Sequence, residues 1–108
     1  MKAIMNRRSI RKYTSQDVSD EQVKVLLKAA MCAPSAGNEQ PWQFVVIRDR
    51  QLLDQVPQYH PYSGMIRQAP LAILICADMK LKKYSDTDYW IQDCAAATEN
   101  LLIAVQEL

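Results

Sequence analysis

Apolar positions recur along this chain at two different periods, and the switches between them mark out its elements. Val23, Leu26, Leu27, Ala30 and Met31 fall at i, i+3, i+4, i+7 and i+8, which is one face of a helix. Ser19 stands just ahead of that stripe with Gln22 three residues on, the pairing of a capping box. Pro34 is expected to close the helix, because the residue before a proline is driven out of the helical region. Residues 33–41 then read as a loop, and residues 43–47, rich in β-branched and aromatic side chains, as a strand. Asp49 is placed to cap a short helix ending near Pro57, with residues 57–64 as a further loop. Residues 71–77 form a continuous apolar run containing Ile73 and Ile75, the pattern of a buried strand. Ahead of all this, residues 1–6 are a candidate for one short helix.

The longest pattern comes last. Ile91, Cys94, Ala95, Thr98, Leu101, Leu102, Val105 and Leu108 share a helical stripe, and Ala96, Ala97 and Ile103 widen it. Much of this helix is therefore expected to be buried. The stripe reaches Leu108 without a Gly, Asn or Pro to stop it, which leads to the expectation that the fold is incomplete in these residues. The sum is an α+β fold with helices around a sheet whose first strands are 43–47 and 71–77.

A length of 108 residues allows one small domain, taken here as 1–108, and a net charge of +1 gives the molecule as a whole no nucleic-acid or membrane signature. The charge is nevertheless uneven. Residues 1–16 hold Lys2, Arg7, Arg8, Arg11 and Lys12 and no acidic residue. Cys32, Cys76 and Cys94 are odd in number and unclustered, against both a disulfide scaffold and a zinc site. Their apolar or small neighbours are those of buried free thiols, and a reducing, cytoplasmic setting fits them. The first residues lack the apolar core of a secretory signal, and no run reaches the roughly 18 apolar residues of a membrane span.

Two segments could carry chemistry. Arg7-Arg8-Ser9-Ile10-Arg11-Lys12 combines guanidinium forks and a hydroxyl, groups suited to a phosphate. The same residues would serve as a solvated basic turn or a nucleic-acid patch, although Tyr13 is the lone aromatic beside them. Residues 33–42, A-P-S-A-G-N-E-Q-P-W, follow a helix and precede a strand. Small residues there let backbone approach a flat ligand, Gly37 permits a positive φ, and Ser35, Asn38 and Gln40 offer hydrogen bonds. Taken alone this is equally a turn with Trp42 as its apolar anchor.

In combination the segments resemble the N-terminal portion of the FMN-dependent nitroreductase family. R-R-S-I-R-K-Y is followed about twenty residues later by A-P-S-A-G-N-E-Q-P-W-Q-F, then Q-A-P-L-A-I-L-I-C-A, then Y-W-I-Q-D-C-A-A-A-T-E-N-L-L-I-A-V-Q-E-L, in order and across essentially the whole chain. The resemblance implies a central, mainly antiparallel sheet and an intertwined homodimer with two flavins at its interface, where the long helix packs. It implies that Arg7, Arg8, Ser9 and Arg11 hold the FMN phosphate and ribityl chain. It implies that Pro34, Ser35, Ala36 and Asn38 reach the flavin held mainly by the partner subunit. NAD(P)H would be the co-substrate and a nitroaromatic, quinone or other flat molecule the electron acceptor, in a ping-pong hydride mechanism needing no evident side-chain acid or base. The family's long helix continues into a Gly-Leu-Gly type turn and further flavin-facing segments, which are not among these residues. A non-catalytic flavin-binding or dimerisation fragment is the alternative, and a small nucleic-acid-binding domain a third.

The remaining candidates are weaker. His60, the single histidine, reads as a surface residue of a polar loop, and Lys80, Lys82 and Lys83 as a solvated loop. Tyr62, Tyr84, Tyr89 and Trp90 could line a flat pocket but more commonly pack a core. Asp93 and Asn100, a heptad apart, are expected to make helix-to-loop hydrogen bonds.

Overall fold

A computed structural model describes residues 1–84 and 86–108. Helix α1 spans Lys2–Asn6, and an extended basic segment leads to α2, Asp20–Met31. The capping box forms as its sequence dictates. Ser19 Oγ accepts from Gln22 N at 3.2 Å, and Gln22 Oε1 accepts from Ser19 N at 2.9 Å. Val23, Leu26 and Ala30 are buried along the predicted stripe, whereas Met31 is exposed where the helix ends ahead of Pro34. Arg48 pins the approach to α2, reaching Asp17 at 3.1 Å, Asp20 at 3.0 Å and the Val18 carbonyl at 2.7 Å.

Strand β1, Trp42–Ile47, pairs antiparallel with β2, Ala72–Ala77, in a register that sets Phe44 opposite Ile75 and Val45 opposite Leu74. Between the strands lie α3, Arg50–Tyr59, and a 3₁₀ segment, Pro61–Gln68. Asp49 caps α3 as expected, its Oδ1 accepting from Leu52 N at 3.0 Å. The helix ends near Pro57 as expected, running two residues past it to Tyr59. Pro57 removes one N–H near the end of the helix, and His60 N still closes the last turn on the Val56 carbonyl at 3.0 Å. Residues 57–64 are accordingly helical for most of their length rather than an open loop. Arg50 clasps the two pieces together, donating to the carbonyls of Ala69 at 2.8 Å and Ile66 at 3.1 Å.

After a short 3₁₀ turn, Met79–Leu81, helix α4 spans Tyr89–Glu107. It packs against α2 and the sheet, and the core lies there. Ala30, Ala33, Trp42 and Ala97 are buried, with Phe44, Ile75, Cys94, Ala96 and Leu101 packed on them. Two expectations fail at this point. The 71–77 strand is half-buried rather than buried, with Leu74 and its partner Val45 exposed, because among the described residues only one face of the sheet is covered. The buried face of α4 is also rotated from the predicted stripe. Ile91, Ala95, Leu102, Val105 and Leu108 are exposed, while Asp93 and Ala97 are buried. A helix apolar nearly all round has no preferred phase from hydropathy, and its polar contacts decide which face turns inward. Cys32, expected inside, is exposed; Cys76 and Cys94 are partly covered, and all three are free.

Leu53 of α3 has no exposed surface. In urea denaturation of the full-length protein, Leu53→Ala should cost about 2–5 kcal/mol. Ser19→Ala, which removes the cap of α2, should cost about 1 kcal/mol. The reverse order of the two would show that α3 is not part of the cooperative core.

Candidate cofactor site

The N-terminal basic segment folds onto the C-terminal half of α4. Arg7, Arg8, Ser9, Ile10 and Arg11 form one wall of a cleft of about 440 Å³, and Tyr13, Met65, Leu102, Val105 and Gln106 complete it. The segment has no regular structure, so side-chain bonds fix its path. Arg7 Nε meets Glu99 Oε1 at 3.4 Å; Arg8 Nη1 donates to the carbonyls of Met5 at 2.9 Å and Arg7 at 2.8 Å; Arg11 Nη1 donates to the Ser9 carbonyl at 3.2 Å. Each guanidinium has five N–H donors, so these bonds leave donors over. Three guanidinium groups and a hydroxyl around one cleft suit a phosphate dianion. Glu99 lies beside them, and by pairing with Arg7 it offsets part of the positive field. The cleft opens onto an apolar groove of about 590 Å³ running between α2, β2 and the end of α4, and the two share Tyr13, Met65, Leu102 and Val105.

The second segment lies at the other end of α4. Residues 36–38 form a tight 3₁₀ turn in which Gly37 (φ 56°) and Asn38 (φ 55°) are left-handed, as is Gln40 (φ 49°) just beyond it. For the two non-glycine residues that conformation costs roughly 1–2 kcal/mol each. Polar anchors hold it. Ser35 Oγ accepts from Gln40 N at 3.0 Å, and Asp93 Oδ1, reaching from α4, accepts from Ala36 N at 3.0 Å. Glu39 Oε1 accepts from Lys83 N at 2.7 Å and Tyr84 N at 3.3 Å, and Lys83 Nζ donates to the Gly37 carbonyl at 3.3 Å. The Tyr84 ring lies over Gly37 so closely that a Cβ there would come within 2.9 Å of it. Pro41 is fully buried behind the loop, and Trp42 is buried as the apolar anchor expected of it.

The chain thus brings Arg7, Arg8, Ser9 and Arg11 together, but not with Pro34, Ser35, Ala36 and Asn38. Asp93 and Val105 are more than three turns apart on α4, roughly 18 Å at 1.5 Å per residue. Within the loop Pro34 and Asn38 are exposed, whereas the Ser35 hydroxyl and the Ala36 N–H are turned to internal bonds. Asp93 makes the expected helix-to-loop bond, whereas Asn100 bonds helix to helix, its Nδ2 donating to the Ala29 carbonyl in the last turn of α2 at 3.2 Å. His60 is exposed as expected, edge-on to Tyr62. The lysine loop is less free than its charge implied, since Lys82 pairs with Asp88 at 3.9 Å and Lys83 reaches the 37–39 turn. Tyr62 is exposed, and Tyr84 and Tyr89 meet edge to face at 6.2 Å beside the loop. Glu39 was not singled out from the sequence. A lone glutamate inside a polar loop carries no local sign that it will be buried.

Comparison with known proteins gives this α+β fold a family. The profile described as "Nitroreductase family" matches residues 4–59. A protein of Archaeoglobus fulgidus, provisionally designated NADH dehydrogenase/NAD(P)H nitroreductase, is 52% identical over 98% of this chain and 60% of its own length. A provisionally designated NADH oxidase from Clostridium acetobutylicum superposes with a TM-score of 0.90 at 47% identity, covering 95% of this chain and 61% of that one. A provisionally designated nitroreductase from Desulfovibrio desulfuricans, solved in complex with FMN, gives 0.87 at 37% identity, covering 98% and 61%. The chain belongs to the nitroreductase family. It spans about 60% of the length of these relatives.

Two outcomes follow from the loop and its surroundings. Gly37→Ala should destabilise the protein by about 1–2 kcal/mol from its left-handed backbone, with a further steric cost from Tyr84 that Gly37→Ala/Tyr84→Ala relieves; thermal unfolding of the single and double variants measures both. Burial, then the neighbouring Asp93 and then Cys76, push the Cys94 thiol pKa up. Because the thiolate is the nucleophile, an alkylating reagent at mildly alkaline pH should modify exposed Cys32 well before Cys94, as read by peptide mass mapping. The raised value also means that the unfolded chain loses the Cys94 proton first. The stability this group contributes is then lost as pH rises above the ordinary thiol range.

Proposed function

We propose that these residues are the N-terminal part of an FMN-binding domain in an NAD(P)H-dependent oxidoreductase that works as a homodimer and reduces a flat acceptor such as a nitroaromatic or a quinone. The observation that carries the reading is the convergence of Arg7, Arg8, Ser9 and Arg11 on one cleft in a chain of the nitroreductase family. The FMN in the Desulfovibrio relative supports the same cofactor here. The three guanidinium groups and the Ser9 hydroxyl would hold the phosphate and ribityl chain, and the apolar groove beyond Tyr13 matches the change from polar tail to apolar ring along such a ligand.

The distance between the basic cleft and the 34–38 loop supports the homodimer. A loop at the far end of α4 meets a flavin most simply when the flavin sits in the cleft of a second subunit. When bound, FMN would supply hydride-transfer chemistry between NAD(P)H and a flat acceptor, in a ping-pong sequence. The residues of this chain bind the phosphate, orient the ring and keep the loop against it; none of them is assigned a proton transfer.

Arg7→Ala/Arg11→Ala in the full-length protein should weaken FMN binding by at least about 1.5–3 kcal/mol, the scale of one charged hydrogen bond, in a flavin-fluorescence titration. Sedimentation of the same samples should show flavin occupancy only in the dimer. Unchanged affinity in the double variant, or a fully flavin-loaded monomer, would overturn the reading.

A further inference from the structure

Two buried acidic side chains remain unexplained by the phosphate cradle. Glu39 is 7% exposed and Asp93 5%. Burying an acid is costly unless hydrogen bonds replace its water. Both spend their bonds on backbone N–H groups of the loop or of the segment beside it: Asp93 on Ala36, Glu39 on Lys83 and Tyr84. Asp93 is left with a second oxygen, Oδ2, that is buried without a hydrogen-bond partner among the described residues. That is a poor arrangement for stability alone, since alanine fits a helix interior without burying an acid there. What an acid adds is a stronger, directional hold on the N–H it accepts from.

That hold falls on the stretch that carries the left-handed backbone among the described residues. Gly37, Asn38 and Gln40 are the left-handed residues among those described, and strained loops persist where their surroundings over-determine them. Asp93 grips the loop at its entry from α4. Glu39 ties its exit to residues 83–84, and Lys83 and the Tyr84 ring return the contact to Gly37. The exposed Pro34 and Asn38 lie on the same turn as these anchors.

We propose that Asp93 and Glu39 are positioning residues for the cofactor: they fix the shape of the 35–40 loop from two sides and so set the contacts it makes to FMN. The inference rests on the reading of this loop as flavin-facing. Neither acid touches the flavin; each acts through backbone that it orients.

The test uses the full-length, FMN-loaded protein with Asp93→Ala, Asp93→Asn, Glu39→Ala and Glu39→Gln. Readouts are circular dichroism for folding, flavin-fluorescence titration for affinity, and the visible absorption bands of the bound flavin. Both alanine variants should fold, bind FMN about tenfold more weakly, and show shifted flavin bands. Asparagine and glutamine keep an acceptor oxygen of the same reach and should recover most of the affinity and the parental spectrum. If Asp93→Ala does not fold, Asp93→Ser, whose shorter side chain falls short of Ala36 N, takes its place. Folded alanine variants with parental affinity and spectrum would overturn the proposal, and so would asparagine and glutamine variants as impaired as the alanines. Asn38→Ala and Arg7→Ala/Arg11→Ala run alongside. If these too leave FMN binding unchanged, the flavin reading itself has failed; if they weaken it while the acid variants do not, the positioning proposal alone has failed.

Discussion

The contact between α2 and α4 governs the spacing of everything else. Ala30 and Ala97 meet there with no exposed surface, and side chains that small let two helices lie close together. Trp42, Phe44 and Ile75 then pack against the same pair, which sets the depth of the sheet. Once α4 is seated it works as a ruler. Asp93 near its start receives the 35–40 loop, Asn100 takes the end of α2, and Glu99, Leu102 and Val105 receive the basic segment. The separation of the two candidate binding segments is therefore a property of one helix.

Polar groups do work in this core that apolar ones cannot. At the end of α2 the Ala29 carbonyl accepts from Cys32 N, and Asn100 supplies it a second donor from α4. The loops after α2 and β2 leave N–H groups free, and Asp93 and Glu39 accept from them. These bonds are long in sequence and short in space, so they join the segments around the loop more specifically than burial could. The arrangement also explains why the loop tolerates left-handed Asn38 and Gln40, since each polar anchor removes an alternative path for the backbone.

The elements themselves were legible from local chemistry. Ser19 with Gln22 announced α2, Asp49 announced α3, and the apolar runs gave both strands within a residue or so, because caps and short-range periodicity act over a few residues. The four basic-cleft residues were legible as a cluster for the same reason: they are neighbours in the chain. The end of α3 was legible in the same way, falling two residues past Pro57, since a proline so near a helix end removes little.

What the sequence determined by itself was the order of helices and strands, the basic segment, the glycine turn before Trp42, and through their combined register the family. What only the tertiary structure decided was which way each element faces. Hydropathy could not set the phase of α4, because a helix apolar on nearly every side gains similarly from several orientations. Hydrogen bonds from Asp93 and Asn100 to backbone far away in sequence resolved it. The burial of Glu39, the closeness of Tyr84 to Gly37, and the exposure of Val45 and Leu74 have the same origin. Each depends on what a residue meets across space, and no local pattern records that.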